Sequence, residues 1–346
     1  MLYLIGGLAG KGVEGTLVCP PKSAIAAAGV SQGLQVRELP MRGDLDAGFV
    51  GRFRRLIDEL EPDIVHVHSR RGADTLGGIA VRRAAVPAVL TRRVDHRELP
   101  IFGGLKYHLY HKVIAISDTI YRQLTGAGVS QSRLHRVRSA IDPAAWRVRW
   151  PREQFLQEFD LQESNFVVAV VAQLIPRKGH NYLLDALVKI TTVCSELRVI
   201  CFGRGRLETS LRKSFARADL ESVVQFAGYR EDLPAFLGHC QLLVHPAMRE
   251  GLGLSLLEAQ AAGLPVAGFR VAGVQEAVAD GKTGLLVAAR DSTALAAVMA
   301  EMYDNPQRRE AMVVAGRDRI GTEFNLEKMI EGNLHVYREI LQAGKE

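Results

Sequence analysis

The chain of 346 residues has few cysteines and lacks the cysteine and histidine patterns that bind zinc. Its four cysteines are scattered, no CxxC pair occurs, and no HExxH sequence places two histidines on one helix face. We therefore exclude a zinc-binding domain of these types and expect reduced, buried thiols. The carboxylates suggest no metal-binding cluster, so we predict that the protein needs no cofactor and no divalent ion.

Long apolar runs are also missing, since no stretch approaches the roughly 20 residues that a membrane-spanning helix needs. The apolar opening has no basic segment before it and no clear cleavage site after it, so we do not interpret it as a signal peptide. An early GxGxxG sequence is absent, which argues against a Rossmann-type oxidoreductase. We expect a cytoplasmic protein, with the inner face of the membrane as a further location.

Positive charge is concentrated in the first part of the chain. Residues 1–150 carry 22 lysines and arginines against 13 acidic residues, whereas residues 151–346 carry 22 against 25. Aromatic residues do not interleave with the clustered arginines and no nucleic-acid-binding motif occurs, so we predict no nucleic-acid partner. The asymmetry favours an anionic glycan or lipid-linked acceptor, or peripheral contact with a membrane surface. For any single cluster, a solvated helix face explains the arginines equally well.

Short β-branched runs alternate with longer amphipathic stretches, a pattern typical of parallel strands joined by helices. We predict an α/β protein of two Rossmann-like, doubly wound domains, 1–145 and 146–325, facing a central cleft. A C-terminal helix over 326–346 is expected to pack back towards the first domain. The strands are predicted at 15–19, 64–68, 88–91, 113–117, 134–138, 166–172, 198–202, 223–227, 242–245, 265–267 and 284–287.

The first ten residues fit a helix better than a strand, because the apolar residues at 2, 4, 5 and 8 share one helical face. We therefore predict a helix over 2–9 and hypothesise that the first strand of the N-terminal sheet and its loop are missing. Neighbouring strands would then keep unpaired backbone groups, and turnover would be in doubt. The alternative is a strand at residues 2–5 followed by a glycine-containing loop.

The most informative segment is residues 245–258, HPAMREGLGLSLLE. A strand is predicted to end at its start, a glycine-rich turn follows, and a helix is predicted from Leu254. Backbone N–H groups in such a turn and at a helix start bind phosphate well. Glu250 precedes the turn and Glu258 lies inside the helix, and each carboxylate can accept two hydrogen bonds from a vicinal diol.

A second segment, residues 171–180, reads VAQLIPRKGH and places Lys178 at the mouth of the next predicted helix. A lysine at this position can neutralise a diphosphate. Glycines after the two following strands, Gly205 and Gly228, are expected to border the same pocket. Gly273 is expected to be a turn residue further along the chain.

These segments resemble glycosyltransferase family 4, a retaining family with the GT-B fold, and the resemblance covers nearly the whole chain. Glu250 and Glu258 match the E-x7-E pair of that family. The resemblance implies that Glu250 contacts the transferred sugar of a nucleoside diphosphate sugar and that Glu258 contacts its ribose. The family commonly has arginine where this chain has Gln173. The implied catalytic residues are Glu250 and Lys178, and the implied donor-binding residues are Glu258, Gly251, Leu252, Gly253, Leu254, Gln173, Arg177, Gly205, Gly228 and Tyr229.

The first half offers weaker candidates for the acceptor side. His66 and His68 lie on one face at the end of a predicted strand, where a satisfied buried pair is at least as good an explanation. The family often has a histidine after the next strand, where this chain has Arg93, with His96 three residues later. A guanidinium cannot act as a base, but it can bind phosphate or an anionic acceptor.

The resemblance implies transfer of a hexose-like sugar, with retention, to a glycan or lipid-linked acceptor. Lipopolysaccharide synthesis, or synthesis of another cell-envelope polysaccharide, is the expected process. Two alternatives stay open: a GT-B protein that binds nucleotide sugars without transferase activity, and a sugar-nucleotide epimerase.

Overall fold

The computed structural model describes residues 1–68, 72–95 and 100–343, apart from the side chains of residues 100–103. The chain divides into two compact units. The N-terminal unit consists of Met1–Ala140 with Leu326–Glu346, and the C-terminal unit is Ile141–Asn325. Among the described ranges, no helix combines the length and the apolar character that crossing a bilayer requires.

The strands in chain order are β1 (Thr16–Cys19), β2 (Gln35–Glu38), β3 (Val65–Val67), β4 (Ala88–Arg92), β5 (Lys112–Ala115), β6 (Leu134–Arg136), β7 (Phe166–Val171), β8 (Leu197–Phe202), β9 (Val224–Gly228), β10 (Leu242–His245), β11 (Val266–Phe269) and β12 (Gly284–Val287). The α-helices are α1 (Leu2–Ala9), α2 (Ala24–Ser31), α3 (Ala47–Leu60), α4 (Ala73–Ala84), α5 (Pro100–Tyr107), α6 (Asp118–Gly126), α7 (Arg152–Glu158), α8 (His180–Ile190), α9 (Glu208–Arg217), α10 (Leu254–Ala262), α11 (Ala272–Ala277), α12 (Ser292–Asp304), α13 (Pro306–Glu323) and α14 (Leu326–Ala343).

The C-terminal unit is built on a six-stranded parallel sheet with the order β12-β11-β10-β7-β8-β9. Its central strand β7 reads FVVAVV and is apolar at every position, as expected of a strand whose two faces are both covered. Helices α8 and α12 pack against each other beside this sheet, and Leu183, Leu187 and Leu295 belong to the core. The predicted α/β class with parallel sheets is confirmed.

The strands of the N-terminal unit form two sheets. Strands β3, β4, β5 and β6 pair in that order, and β1 pairs with β2 in a separate two-stranded sheet. Strand β2, with the sequence QVRE, was not predicted from the sequence, because it has a single apolar residue. Every pair of neighbouring strands in both sheets is parallel.

The predicted N-terminal helix is confirmed as α1, and the alternative of a strand at residues 2–5 is wrong. Within residues 1–68, all of which the structure describes, no strand precedes β1. Leu4 and Leu8 of α1 are buried in one cluster with Ile330 and Leu334 of α14. Leu2, also on α1, packs instead against a small cluster formed by Leu17 and Cys19 of β1 and Ala26 of α2. This helix therefore packs on α14 and lines the two-stranded sheet at the same time.

Candidate functional site

The strand order of the six-stranded sheet reverses between β7 and β10, which are hydrogen-bonded neighbours. Strands β8 and β9 extend the sheet on the β7 side, and β11 and β12 extend it on the β10 side. In an open parallel sheet, such a reversal leaves a crevice at the carboxyl ends of the two strands, where ligands bind. The loop after β7 carries Lys178 and the loop after β10 carries Glu250. The fold thus brings together two segments that lie far apart in the chain.

Gly179 allows the two loops to touch through their backbones. A Cβ atom at this position would lie 1.9 Å from the carbonyl oxygen of Pro246, and the φ angle of Gly179 is +74°. Glycine alone satisfies both conditions without strain. Close by, the N–H of Met248 donates to the carbonyl of Arg177 at 2.8 Å. The loop after β10 is therefore held against the loop after β7 by main-chain contacts.

Lys178 and Glu250 form an ion pair at the crevice, and Lys178 is only 8% exposed. The carboxylate oxygen that accepts the hydrogen bond from Nζ of Lys178 also accepts one from Nε2 of His245, at 3.1 Å. The other oxygen accepts the N–H of Gly251 at 3.3 Å. Burial alone would raise the pKa of Glu250, but the hydrogen bond from His245 and the charge of Lys178 hold it well below its usual range. Glu250 is therefore a fixed negative charge at neutral pH.

Glu258, in the second half of α10, has a contrasting environment. Among the described residues no hydrogen-bond or ion-pair partner meets its carboxyl group. Burial raises the pKa of Glu258 to about 7, and no neighbouring cation offsets this effect. Glu258 is half-buried, and a carboxyl group that is partly removed from water without a partner is stabilised when another group supplies hydrogen bonds. Hydroxyl groups of a ligand are donors of the required kind.

Helix α10 begins at Leu254, as predicted, directly after Gly253. The first N–H groups of an α-helix have no partner within the helix and form the positive end of its dipole. Leu252 is 2% exposed, so its side chain belongs to the core and only its backbone can face a ligand. Leu254 is more open, at 38% exposure. The segment 252–254 therefore offers main-chain donors at the crevice, whereas the N–H of Gly251 is already bound to Glu250.

Gly273 was predicted to be a turn residue, and this prediction is wrong. It lies inside α11, where a Cβ atom would be 2.2 Å from the carbonyl oxygen of Glu250. The absence of a side chain lets α11 press directly on the backbone that carries Glu250. Gly273 therefore fixes the position of the loop after β10.

The remaining predicted donor residues lie at the carboxyl ends of β7, β8 and β9, and Gly228 is itself the last residue of β9. The N–H of Leu174 donates to the carbonyl of Arg204 at 3.1 Å, which joins the Gly205 loop to the Lys178 loop. The N–H of Gly203 donates to the carbonyl of Gly228 at 2.7 Å, which adds the loop after β9. Tyr229, next to Gly228, is 59% exposed.

Two cationic or polar candidates near Lys178 have different environments. Gln173 is exposed and has no hydrogen-bond partner for its side chain within the described residues. The guanidinium of Arg177 donates to the carbonyl of Arg249 at 3.3 Å, so it braces the loop after β10. Neither residue forms an ion pair with a carboxylate in the described part of the chain.

Two histidines at the crevice were missed in the sequence. His245 is the last residue of β10 and donates to Glu250, and the sequence signal was a polar residue closing the apolar run LLV. His180, the first residue of α8, is 3% exposed, and neither ring nitrogen has a partner among the described residues. Burial, with the nearby charges of His245 and Lys178, lowers the pKa of His180 to about 4. Both rings are therefore neutral at pH 7, since burial also lowers the pKa of His245.

The sequence does contain one Asp-x-Asp triplet, Asp44–Asp46, which corrects the premise that metal-binding carboxylate patterns are missing. Asp46 is already engaged, because it accepts from the guanidinium of Arg52 at 2.5 Å and from the N–H of Arg42 at 2.8 Å. In the ranges that the structure describes, no three His, Cys, Asp or Glu side chains are grouped as metal ligands. Metal independence remains a prediction.

In the N-terminal unit, the structure brings His66, His68 and Arg93 together at the carboxyl ends of β3 and β4. His66 is fully hydrogen-bonded, through Nδ1 to Tyr337 at 2.5 Å and through Nε2 to Thr91 at 2.6 Å. The ring of His68 stacks on that of His66 with 3.8 Å between centroids. His96, the fourth predicted residue, lies outside the described residues.

The C-terminal unit is a parallel α/β domain with a crevice at the switch point of its sheet, and this crevice is lined by a lysine, carboxylates and a helix start. Such an arrangement suits the binding of a nucleoside diphosphate. Comparison with known families agrees with this class. The family model of glycosyl transferases group 1 matches residues 151–319, and that of glycosyltransferase family 4 matches residues 1–145. The chain belongs to the group 1 glycosyltransferases and has the GT-B fold.

Individual relatives show how far the similarity extends. A GDP-mannose-dependent monoacylated alpha-(1-6)-phosphatidylinositol monomannoside mannosyltransferase of Corynebacterium glutamicum is 30% identical over 227 residues. The matched part is 62% of this chain and 59% of that protein. The lipopolysaccharide core biosynthesis mannosyltransferase LpsB of Rhizobium meliloti is 24% identical over 80% of this chain and 79% of its own. The crystal structure of Anabaena HepE in complex with UDP and glucose superposes with a TM-score of 0.85 at 19% identity, over 98% of this chain and 94% of that one.

Proposed function

We propose that the protein transfers a hexose-like sugar from a nucleoside diphosphate sugar to a glycan or lipid-linked acceptor, with retention of the anomeric configuration. The observation that carries the proposal is the ion pair of Lys178 and Glu250 at the switch point of one sheet, directly before α10, the helix that carries Glu258. A cation and free amides bind a diphosphate, and two carboxylates bind diols. The UDP and glucose named in the complex of Anabaena HepE are ligands of this chemical type.

Each group has a distinct part in this proposal. The amides of Gly253 and Leu254 and the ammonium of Lys178 bind the diphosphate. Glu258 accepts hydrogen bonds from the ribose hydroxyls, and Glu250 accepts them from the transferred sugar. Lys178 is held in place by Glu250 before the donor arrives, so its charge needs no large movement to reach the phosphate. Such preorganised charge stabilises the oxygen that becomes more negative as the glycosidic bond breaks.

The transfer step breaks the bond between the anomeric carbon and a phosphate oxygen and forms a bond from that carbon to the acceptor oxygen. The acceptor proton moves to the departing phosphate oxygen on the same face of the sugar. No protein base is needed in this step, in line with the lowered pKa values of His180, His245 and Glu250, which make each of them a weak base. Retention follows because bond breaking and bond formation share one face.

We further propose an anionic acceptor of the cell envelope, such as a lipid-linked or lipopolysaccharide precursor, reached from the cytoplasmic face of the membrane. The surplus of basic residues over residues 1–150 supports this acceptor class. So do the relatives from Corynebacterium glutamicum and Rhizobium meliloti, whose names describe enzymes of phosphatidylinositol mannoside and lipopolysaccharide core synthesis.

The test begins with donor binding, measured by calorimetry across uridine, guanosine and adenosine diphosphate sugars. The donor that binds is then incubated with candidate acceptors in excess chelator, and the anomeric configuration of the product is read by NMR. We expect an acceptor-linked sugar of unchanged configuration without added metal. Donor binding without turnover would indicate a binding protein, and an altered sugar still attached to the nucleotide would indicate an epimerase.

A further inference from the structure

Arg93 directly follows β4 in the N-terminal unit, and its guanidinium has little to bind. It is half-buried, and its partner among the described residues is the hydroxyl of Ser139, at the long distance of 3.4 Å. No carboxylate of the described chain pairs with it. Burial removes part of its positive charge from water, and this lowers the pKa of Arg93.

The arginines nearby show that this arrangement is unusual within the same unit. Arg136 and Arg138 both pair with Asp118, and the Arg138 contact is 2.8 Å. An arginine that is partly removed from water is stabilised when an anion compensates its charge. A guanidinium presents five N–H donors in a planar fork that fits an oxyanion through two parallel hydrogen bonds. The guanidinium of Arg93 therefore offers unused donors and a positive charge to an anion that is not part of the described chain.

A second unsatisfied group lies on the neighbouring strand. His68 follows β3, which pairs in parallel with β4, so both residues lie at the same sheet edge. Nδ1 of His68 is buried and has no partner among the described residues. His66 cannot serve as one, because Thr91 and Tyr337 occupy both of its nitrogens. Burial, and then the charges of His66 and Arg93, hold the pKa of His68 well below its usual value.

We infer that Arg93, Ser139 and His68 form a binding site for an oxyanion, a phosphate or a carboxylate, at the carboxyl ends of β3 and β4. The guanidinium supplies the charge and a fork of donors, the hydroxyl of Ser139 lies beside it, and the ring of His68 is held by the stacked His66. Ligands of open parallel sheets bind at this edge. The assignment of the oxyanion to the acceptor rests on the proposed transferase function, whereas the existence of the site does not.

The test uses inorganic phosphate and the full chain labelled with 15N-histidine. We expect phosphate to shift the His68 imidazole signals of the wild type. Arg93→Gln should weaken this phosphate affinity by about 10- to 100-fold, the usual effect of removing a charged hydrogen-bonding partner. Arg93→Lys should retain part of the affinity, because it keeps the charge but loses the fork. Arg55→Gln, at an exposed arginine of α3, is the matched control and should change nothing.

Phosphate binding at the donor site is separated by repeating the titration with Lys178→Ala, which should leave the His68 response intact. Methyl phosphate and glucuronate, titrated in parallel, distinguish a phosphate-bearing ligand from a carboxylate-bearing one. Thermal unfolding with and without phosphate shows whether the variants fold, and phosphate should raise the wild-type Tm more than that of Arg93→Gln.

Two results would overturn the inference: no phosphate-dependent shift of His68 in the wild type, or equal shifts and affinities in wild type and Arg93→Gln. Donor binding and sugar transfer are measured on the same preparations. If phosphate binds through Arg93 while no sugar is transferred, the oxyanion site stands and the proposed function fails. If sugar is transferred while phosphate leaves His68 unchanged, the transferase stands and the oxyanion site fails.

Discussion

Two carboxyl groups of one short segment titrate in different pH ranges. Glu250 meets Lys178, His245 and the amide of Gly251, so it stays ionised. Glu258, eight positions later, meets no partner among the described residues, and its pKa rises to about 7 through burial. The spacing alone cannot specify this difference. The difference arises because Glu250 contacts His245 of β10 and Lys178 of the loop after β7. Glu258 is half-buried on α10 and has no such neighbours among the described residues.

Glu258→Ala should weaken nucleoside diphosphate binding by about 1–3 kcal/mol, as expected for the loss of hydrogen bonds to a charged group, which is roughly 5- to 150-fold in affinity. The reason is the loss of the acceptor for the ribose hydroxyls. Calorimetric titration with the nucleoside diphosphate measures this change in affinity. Glu310→Ala, at an exposed position of α13, is the control and should bind like the wild type. Unchanged affinity in Glu258→Ala would mean that the residue serves only the helix.

The raised pKa of Glu258 also predicts two pH effects. The folded state holds this proton up to about pH 7, whereas the unfolded chain releases it near 4.5. The free energy of unfolding of the free protein should therefore decrease as pH rises from about 4.5 through 7, because the folded state binds the extra proton in that window. Hydroxyl donors of a ligand favour the ionised form, so nucleotide binding near pH 6.5 should release a proton.

Calorimetry in buffers of different ionisation enthalpy measures this proton release. Glu258→Gln cannot ionise, so it should bind without the buffer-dependent heat. The part of the pH dependence of thermal unfolding that Glu258 contributes should also be absent in this variant. The same buffer dependence in Glu258→Gln as in the wild type would assign the proton to another group.

Lys178→Ala should weaken binding of the nucleoside diphosphate while leaving binding of the nucleoside nearly unchanged. The lysine contributes charge to the phosphates and has no part in holding the ribose or the base. Competition binding with the two ligands measures the difference. Lys189→Ala, on the exposed side of α8, is the control. Equal losses for both ligands would show that Lys178 acts through stability of the fold, since its removal also leaves Glu250 without its cation.

At the scale of elements, the position of the loop after β10 depends on how closely α11 approaches it. A methyl group in Gly273→Ala would meet the carbonyl of Glu250 at 2.2 Å, so the loop or the helix must shift. We expect turnover to fall by an order of magnitude or more, because misplacement of about 1 Å costs roughly 100-fold in rate. Steady-state kinetics measure this loss, and circular dichroism confirms that the variant folds.

Gly321→Ala is the matched control for that substitution. Gly321 lies inside α13, and a Cβ atom there would meet nothing within 4 Å. Alanine in an open helix interior is more favourable than glycine by roughly 0.5–1 kcal/mol, so this variant should be slightly more stable and fully active. Equal activity of both alanine variants would remove the positioning role from Gly273.

The sequence predicted the parallel α/β class and the helices over 2–9 and from Leu254, because apolar periodicity and glycine turns are local signals. It did not predict β2, whose residues are mostly exposed and polar. Nor did it predict the hydrogen bond of His245 to Glu250 or the separate pairing of β1 with β2. Those features depend on which strands become neighbours. Likewise, Gly273 looked like a turn residue because a close approach between distant segments leaves no mark of its own in the sequence.

At the scale of the whole molecule, the uneven charge is the property with the broadest consequence. The surplus of basic residues lies in residues 1–150, while the rest of the chain is slightly acidic. Some of these arginines are neutralised locally, as Arg52 is by Asp46. Others, such as Arg55 on α3, are exposed, and no acid of the described chain pairs with Arg55. An anionic surface would attract this part of the chain over the short range that salt allows.

We predict that the protein sediments with vesicles containing acidic lipids and not with neutral vesicles, and that added salt weakens the association. Each basic residue near an anionic surface contributes about 1 kcal/mol. The double variant Arg54→Glu with Arg55→Glu, on α3, should therefore bind acidic vesicles at least 30-fold more weakly, since two such contributions are lost. The control is Lys213→Glu with Arg217→Glu on α9, which makes the same change of charge on the acidic part of the chain and should bind like the wild type. Equal binding to neutral and acidic vesicles, or equal losses in the two double variants, would leave the basic residues without a role at a membrane surface.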